Sequence, residues 1–161
     1  MNEQLFDMLK LMFISAMPII ELRGGIPAGA LMDLPPLTTY ALAVIGNMIP
    51  VPFIILLWKK ALAFFQKTFP KSFFTRLLEK IQCKADEKKE KVLQYEKWGL
   101  FIFVAVPLPG TGAWTGALIA ATLRMRLRDA IGPILAGVLM AGAIMTVVSY
   151  GGLAAVASLF A

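Results

Sequence analysis

The sequence predicts an all-α integral membrane protein: an inverted repeat of a re-entrant helical hairpin plus a transmembrane helix, with a basic amphipathic cytoplasmic helix between the repeats. Of its 161 residues, 58% are hydrophobic and 16% are charged, whereas soluble domains average about 45–50% and about 25%. Three runs without a charge, residues 34–58, 98–123 and 130–161, each exceed the about 20 residues that a spanning helix needs. The excess positive charge of +6 lies entirely in segment 59–97. We therefore expect a single membrane domain covering residues 1–161.

The missing residue types exclude several kinds of chemistry. The chain has no histidine and a single cysteine, Cys83, so histidine-based triads, histidine-ligated metals and an internal disulfide are excluded. The sequence also lacks a phosphate-binding loop, a metal-ligand cluster and a serine-elbow motif. We expect no enzyme activity, no cofactor and no metal. A basic chain can bind nucleic acid, but the long apolar flanks of the basic segment indicate membrane lipids as partners and no nucleic acid.

The first repeat, residues 8–58, contains an interrupted apolar stretch before its uncharged run. Residues 11–32 include two prolines and three glycines, residue types that interrupt helices and free backbone groups that lipid cannot satisfy. We interpret the stretch as a re-entrant hairpin with its turn at residues 21–25. One kinked spanning helix is the alternative.

The second repeat, residues 98–148, is interrupted in a similar way. Residues 107–112 hold two prolines and two glycines, which stop a helix. The arm before them, residues 98–106, reaches only about 13 Å, roughly half of the hydrocarbon core, so a second hairpin is predicted. Residues 25–31 and 112–118 match at four of seven positions, and each segment precedes a long apolar span, which supports the repeat.

Charge placement indicates how these elements cross the membrane. Segment 59–97 should be cytoplasmic by the positive-inside rule. Its apolar residues recur at helical spacing, as in an amphipathic helix that lies on the inner leaflet or, equally, packs on a partner subunit. Arg124, Arg126 and Arg128 follow the second stretch; a hairpin returns them to the cytoplasm, whereas a single span would leave them outside. The two hairpins then enter from opposite faces, and their tips approach near the middle of the membrane. This predicts a multi-pass inner-membrane protein with an apolar tail at residues 149–161. We expect the last helix to end near residues 149–152, and residues 153–161 are too short to span the membrane again.

Glu21 and Arg23 are the best candidates for chemistry, because each is costly inside an apolar stretch. A charge at the bilayer centre costs about 2.5–3.5 kcal/mol on insertion scales, so both should face protein or water. Glu21 is the only acid embedded in such a stretch, which makes it the predicted proton-coupling residue. Arg23 is a permanent cation whose planar fork suits a phosphate or carboxylate. A structural Glu21–Arg23 ion pair that only closes the turn is the alternative.

A second candidate site lies at the interruption of the second repeat, after which a new helix should begin. A helix N-terminus with Thr111 as its cap favours an anion. Arg124 and Arg128 could hold an anionic head group at the cytoplasmic mouth, although topology control explains them equally well. Trp114 and Asn47 could also contact substrate. The alternative role of Trp114 is packing, and that of Asn47 is hydrogen bonding between helices. The predicted substrate-binding residues are Arg23, Gly24, Gly25, Asn47, Pro107, Pro109, Gly110, Thr111, Gly112, Trp114, Thr115, Arg124 and Arg128.

The last apolar run carries small residues at helical spacing, Gly132 with Ala136 and Gly137 with Ala141. Such pairs are typical of close helix packing in membranes. Two half-membrane hairpins and two spans are little material to enclose a polar pathway, so we expect a homodimer. A compact monomer with a lipid-facing groove is the alternative.

Two motifs stand out: Met-Pro-Ile-Ile-Glu-Leu-Arg-Gly-Gly-Ile-Pro at residues 17–27, and Val-Pro-Leu-Pro-Gly-Thr-Gly-Ala-Trp-Thr-Gly at residues 106–116. In combination they resemble the small multidrug export protein family, over essentially the whole chain, and that family looks like a compact relative of the DedA-type membrane proteins. The resemblance implies paired re-entrant hairpins, an intramembrane acid matched by Glu21, and arginines after the second hairpin matched by Arg124 and Arg128. It also implies movement of lipids such as undecaprenyl phosphate across bilayers. This sequence departs from the longer relatives because it lacks a second clear intramembrane acid.

Three functions follow as hypotheses. The leading one is a transporter of the small multidrug export or DedA-like type for an anionic lipid phosphate, undecaprenyl-phosphate-like, or a related amphiphile, with proton coupling through Glu21. Arginine is the commonest charged residue outside segment 59–97, which favours an anionic substrate. The first alternative is a proton-coupled exporter of cationic small-molecule drugs with Glu21 as the shared acid. The second is a non-transporting membrane scaffold or lipid-binding protein.

Overall fold

The computed structural model describes residues 2–68, 89–108 and 110–160, and within these ranges the chain forms helices and no strand. This confirms the all-α class. Most of the predicted amphipathic helix falls outside the described residues. The helices are α1 (Asn2–Ala16), α2 (Glu21–Leu31), α3 (Pro36–Met48), α4 (Pro50–Thr68), α5 (Lys89–Ala105), α6 (Ala113–Thr122) and α7 (Leu127–Phe160).

The chain leaves the helical path between α1 and α2, at residues 17–20, which we call break 1. Pro18 lies in this break, and Ile19 and Glu21 have φ angles of 82° and 51°, in the left-handed region that non-glycine residues rarely adopt. The predicted turn at residues 21–25 is therefore placed too late in the sequence, because those residues form the start of α2.

Glycines in the first half serve close helix contacts instead of the turn. A Cβ atom on Gly25 would collide with the Ser15 side chain of α1, and a Cβ atom on Gly46 of α3 would collide with the Met12 carbonyl. Glycine permits such an approach of two backbones, as is common between membrane helices. The same residue type is typical of turns and of helix contacts, which is why the turn was misplaced.

The predicted interruption of the second repeat is confirmed. Helix α5 ends at Ala105 and α6 begins at Ala113, and Gly110 between them has a φ of 82°, a conformation that glycine adopts without strain. We call residues 106–112 break 2. Within it, Pro109 lies outside the described residues.

The two shortest helices that the structure describes, α2 and α6, each contact a long helix of the opposite half. Helix α1 packs mainly on α3, and α5 packs mainly on α7. Helix α2 also packs on α7, while α6 packs mainly on α4. This exchange brings break 1 against break 2 in the interior of the helix bundle.

Helix α7 continues to Phe160, so the expectation that this helix ends near residues 149–152 is wrong. Gly151 and Gly152 cost about 1 kcal/mol each relative to alanine, which a long apolar helix tolerates. Tyr150 holds this part of α7 in place, because its hydroxyl lies 2.6 Å from the carbonyl oxygen of Leu34.

Two of the small residues expected to face a second copy are buried inside the chain. Gly137 lies against Val104 of α5, and Gly142 lies against Tyr40 of α3. Gly132, in contrast, has open space at its Cβ position. Most of the predicted close-packing face is therefore used within one chain.

Two stretches are long and apolar enough to cross a membrane: Pro36–Trp58, across α3 and α4, and Leu127–Gly152 in α7. Only 33% and 28% of their most apolar windows are buried. Phe6, Phe13 and Val147 are likewise more than half exposed. Extended exposed apolar surface of this kind suits lipid and not water, so the protein is a helical membrane protein.

Candidate functional site

The side chain of Arg23, in the first turn of α2 directly after break 1, contacts break 2. Its Nη2 atom donates hydrogen bonds to the Val106 carbonyl at 3.1 Å and to Thr111 Oγ1 at 2.9 Å. The Thr111 hydroxyl lies 2.8 Å from the same Val106 carbonyl and 2.9 Å from that of Leu108, so it is held inside break 2. The predicted approach of the two interruptions is present in the structure.

Glu21 occupies the N-terminus of α6. Its Oε1 atom accepts a hydrogen bond from the backbone N–H of Trp114 at 3.1 Å. The helix is capped by Gly112, which makes no side-chain cap bond, and a Cβ atom at Gly112 would collide with the Glu21 carboxylate. The prediction that Thr111 caps this helix is therefore wrong. The helix start that was predicted to attract an anion holds a carboxylate of the same chain.

The predicted Glu21–Arg23 ion pair is present but long. Arg23 Nη1 lies 3.7 Å from Glu21 Oε2, with side-chain exposures of 15% and 6%. The shorter contacts of both residues go to break 2. The structure therefore uses the two charges mainly to connect the halves of the protein, in addition to the local pair that the sequence suggested.

Trp114 supplies a third link between the breaks. Its indole Nε1 donates to the Ala16 carbonyl at 3.2 Å, at the end of α1. This carbonyl belongs to the last turn of a helix, where backbone acceptors lack an intrahelical partner. The contact assigns Trp114 a structural role next to Glu21.

Several buried polar atoms at the site have no hydrogen-bond partner among the described residues: Ser15 Oγ, Glu21 Oε2, Arg23 Nε, and both Asn47 Oδ1 and Asn47 Nδ2. Ser15 and Asn47 are 0% exposed. Sequence reasoning selected Asn47 but missed Ser15, because one serine in an apolar helix has no distinguishing pattern.

The other predicted residues are spread over a wider region. Gly24 and Gly25 lie against Ile20 and Ser15, while Gly110 has open space around it. Thr115 is half-buried in the first turn of α6. Pro107 belongs to break 2.

Arg124 and Arg128 lie beyond the far end of α6, about 15 Å from its start, and are exposed. They are therefore not part of the cluster around Glu21. Near them, Lys97 Nζ forms an ion pair with Asp129 Oδ1 at 2.6 Å.

An apolar groove of about 480 Å³ runs between α5 and α7, next to this ion pair. Its wall is almost entirely apolar, with one basic side chain at its end. The lining residues are Lys97, Trp98, Phe101, Gly132, Pro133 and Ala136.

The cluster at the breaks combines one carboxylate, one guanidinium and the positive end of α6. Opposite charges in such surroundings are strongly coupled, because little water screens them. Within the residues that the structure describes, no group of three or more metal-ligating side chains occurs. Arg23 and the N-terminus of α6 both attract negative charge, and in the structure the Glu21 carboxylate contacts both.

The sequence matches the family of small multi-drug export proteins over residues 21–144. This stretch includes Glu21, Arg23, break 2 and the first half of α7, and it begins directly after break 1. No curated protein and no solved structure shows a significant match. Because the match covers more than half of the chain, this helical membrane protein belongs to the small multi-drug export protein family.

Proposed function

We propose that this protein is a transporter of the small multi-drug export type that moves an anionic amphiphile, such as a lipid phosphate, across the inner membrane. The observation that carries the proposal is the Glu21 carboxylate at the N-terminus of α6, beside Arg23. In the proposed cycle the anionic group of the substrate exchanges with this carboxylate. Protonation of Glu21 removes the charge that holds it there and favours the exchange.

The charge balance of the site favours an anion over a cation. With Glu21 ionised, one negative charge faces the Arg23 guanidinium and the positive end of α6. A cationic drug bound to Glu21 would draw the carboxylate away from both and would itself lie close to Arg23, 3.7 Å from the same carboxylate. An anion instead replaces the Glu21 carboxylate as the negative partner of Arg23 and of the α6 N-terminus, and its geometry suits the guanidinium fork.

The groove between α5 and α7 supports an amphiphilic substrate. Its apolar wall fits an alkyl chain, and Lys97, which lines the groove, is a cation that a negative head group would share with Asp129. The nine residues from Lys97 to Val106, whose carbonyl accepts from Arg23, span about 13 Å of chain. An amphiphile in this groove would have its head group or its tail within reach of the breaks.

The predicted topology completes the proposal. Segment 59–97 and the arginines after α6 would lie in the cytoplasm, and the two helix pairs α1–α2 and α5–α6 would enter from opposite faces as re-entrant hairpins. The packing of each short helix on a long helix of the opposite half supports such an inverted arrangement, which places a site between the halves.

Purified protein in liposomes tests the proposal when lipid-phosphate translocation and proton-driven uptake of a cationic drug are measured side by side. Arg23→Gln should lower lipid-phosphate flux at least about tenfold, because charge-assisted hydrogen bonds contribute about 1.5–3 kcal/mol. Glu21→Gln should keep the flux and remove its dependence on pH, since the neutral amide no longer titrates. Asp33→Asn is the matched control: it changes an exposed carboxylate outside the site and should leave both properties unchanged.

The alternatives give distinct results in the same assay. Drug uptake without lipid-phosphate movement, abolished by Glu21→Gln, would establish the cation exporter. In that function the cation would bind Glu21 Oε2, which accepts no hydrogen bond. Absence of flux for both substrate classes in protein that remains folded would indicate a scaffold or lipid-binding protein.

A further inference from the structure

Helices α5 and α7 run side by side, in the same direction, from a charged level of the bundle. At that level Lys97 Nζ lies 2.6 Å from Asp129 Oδ1. Farther along, a Cβ atom on Gly137 would collide with the side chain of Val104. Val104 follows Lys97 by seven residues and Gly137 follows Asp129 by eight, so the two contacts lie about 10–12 Å apart along the pair. The residues that line the apolar groove all fall between these contacts in the sequence.

Small residues of α7 form one wall of the groove, and aromatic side chains of α5 form the other. Gly132 and Ala136 lie one turn apart on α7, and a Cβ atom on Gly132 would meet no atom within 4 Å. On α5 the rings of Trp98 and Phe101 pack edge to face, with centroids 5.9 Å apart. The volume of about 480 Å³ lies within the range of about 300–1,000 Å³ that is typical of ligand sites. The groove therefore has room for a ligand, and its walls suit an alkyl chain.

The charged end of the groove carries more positive than negative charge. Besides Lys97, Arg126 also attracts the Asp129 carboxylate. Arg126 is exposed and directly precedes α7, where its carbonyl accepts from the Asp129 N–H at 3.0 Å. Two cations thus share one carboxylate, which leaves a net charge of +1. An anionic group that binds here would balance this charge.

Trp98 indicates that this end of the groove lies at a membrane interface. Its side chain is 60% exposed, and tryptophan is enriched where the hydrocarbon meets the lipid head groups. Lys97 is the last residue of the basic segment 59–97, and Trp98 begins the uncharged run 98–123. The groove therefore begins at the expected level of the head groups and continues towards the hydrocarbon.

We propose that this groove binds an anionic phospholipid, with one acyl chain between α5 and α7 and the head-group phosphate between Lys97 and Arg126. Basic pockets between transmembrane helices bind anionic head groups in this way, and a phosphate suits the guanidinium fork. A zwitterionic phospholipid offers the same chains, but its head group carries no net charge. It therefore gains less from the positive end of the groove.

A second copy of the chain fits the groove less well than a lipid does. In a twofold-symmetric dimer each surface patch faces the same patch of the partner, so the two positive ends would repel each other. Gly137 and Gly142, the next glycines along α7, already lie against side chains of the same chain. The small-residue surface that remains exposed is therefore short.

The lipid site deepens the proposed function and rests on that function for its role only. A lipid bound here has its head group at the predicted cytoplasmic face and its tail directed along α5 towards break 2. The groove would thus be the first binding position of the transported amphiphile. The existence of the site rests on the shape and charge of the groove, so binding is measured without flux.

Fluorescence quenching by brominated phospholipids tests the site at Trp98. The chain has three tryptophans, so Trp58→Phe combined with Trp114→Phe leaves Trp98 as the reporter in phosphatidylcholine vesicles. Brominated phosphatidylglycerol should bind beside Trp98 about fivefold more tightly than brominated phosphatidylcholine, which is the effect of about one cation near a membrane surface. Equal affinities of the two lipids would overturn the proposal.

Two glycine variants separate the groove from lipid that merely surrounds the protein. Gly132→Leu fills the groove and should abolish the preference for phosphatidylglycerol. Gly99→Leu is the matched control, because a Cβ atom on Gly99 also meets no atom within 4 Å. Gly99 lines a different pocket, of about 240 Å³ between α5 and α6, so this variant should keep the preference. A preference that survives Gly132→Leu would contradict the site.

Two arginine variants test the position of the head group. Arg126→Gln removes the cation beside Asp129 and should reduce the fivefold preference to about onefold to twofold. Arg128→Gln makes the same change of net charge at another exposed residue and should leave most of the preference. Equal losses in the two variants would mean that the lipid responds to overall charge and not to this groove.

Melting temperatures in detergent provide a test that needs no tryptophan variant. Phosphatidylglycerol should raise the melting temperature of the wild type and of Gly99→Leu more than phosphatidylcholine does, but not that of Gly132→Leu. If Gly132→Leu instead converts a dimer into a monomer, the groove belongs to a second copy and the lipid site is wrong. Lipid preference without flux would leave the site standing, and flux without lipid preference would leave the transport proposal standing.

Discussion

Break 1 and break 2 both interrupt the helical path, yet these two regions contribute different chemistry to their contact. The helix after break 1 contributes ions, the Glu21 carboxylate and the Arg23 guanidinium. Break 2 and the helix after it contribute backbone groups, the Val106 carbonyl and the Trp114 N–H. Two copies of either break would leave like charges or like dipoles facing each other. The two sides of this contact are therefore complementary and not equivalent.

The breaks also differ in how they turn. Break 1 uses four residues, and Ile19 and the following Glu21 have left-handed φ angles. Break 2 uses seven residues and places glycine at its left-handed position, Gly110. Strain in non-glycine residues persists only where the surrounding structure enforces it. Here the contacts of Glu21 and Arg23 with break 2 provide that enforcement.

The side of the membrane that each break faces should give the largest effect, because labelling from a given side either occurs or does not. In a Cys83→Ser background, Asp33→Cys should react with an impermeant maleimide from outside the cell, and Arg126→Cys should react only from inside. Both positions are exposed. Labelling of Arg126→Cys from outside would show that residues 98–123 form one kinked span and that the halves are not inverted.

Gly112→Ala should give the next largest effect. The added Cβ collides with the Glu21 carboxylate, and overpacking of this kind costs about 1–3 kcal/mol. Gly99→Ala is the matched control in α5: its Cβ meets open space, and alanine in a helix gains about 0.5–1 kcal/mol over glycine. Melting temperatures should therefore move in opposite directions; a neutral Gly112→Ala would place Glu21 elsewhere.

Thr111→Val removes the hydroxyl that accepts from Arg23 while keeping the size of the side chain. Loss of one partner of a charged group costs about 1.5–3 kcal/mol, part of which water can recover at this half-buried position. Thr111→Ser retains the hydroxyl and should recover most of the stability. If Thr111→Val and Thr111→Ser had the same melting temperature, the hydrogen bond between Arg23 and Thr111 would contribute nothing to the stability of the protein.

Trp114→Phe should give the smallest effect, about 1 kcal/mol. The ring still packs, but the indole bond to the Ala16 carbonyl is lost. Trp98→Phe in the exposed groove, at a side chain that is 60% exposed, serves as the control and should not change the melting temperature. A larger loss for Trp98→Phe than for Trp114→Phe would contradict the link between the breaks.

Much of the fold was predictable, because its signals are long. Uncharged runs predict apolar helices, and proline with glycine at residues 107–112 predicts an interruption. The exact position of break 1 was not predictable. It depends on Ile19 and Glu21 adopting left-handed angles, and their side chains carry no preference for this conformation.

The site was predictable only as far as its side chains. Glu21 and Arg23 stand out because charge is rare in apolar stretches. One of their partners, the Thr111 hydroxyl, was among the predicted residues. The other two are the Val106 carbonyl and the Trp114 N–H, backbone groups that no sequence pattern marks. The sequence likewise predicted an anion site at the start of α6, but not that Glu21, more than ninety residues earlier in the chain, would occupy it.

Because the Glu21 carboxylate belongs to the same chain, it also competes with every free anion for the N-terminus of α6. A group attached to the same chain has an effective concentration of at least about millimolar at its site, so a free monovalent anion at micromolar concentration cannot displace it. Only an anion with more charge, or with an apolar tail that adds binding energy, reaches the α6 N-terminus under the proposed exchange. The Glu21 carboxylate would thereby set a minimum affinity that an anion needs in order to enter the site. Small ions that bind less strongly would not pass through the protein when no substrate is bound.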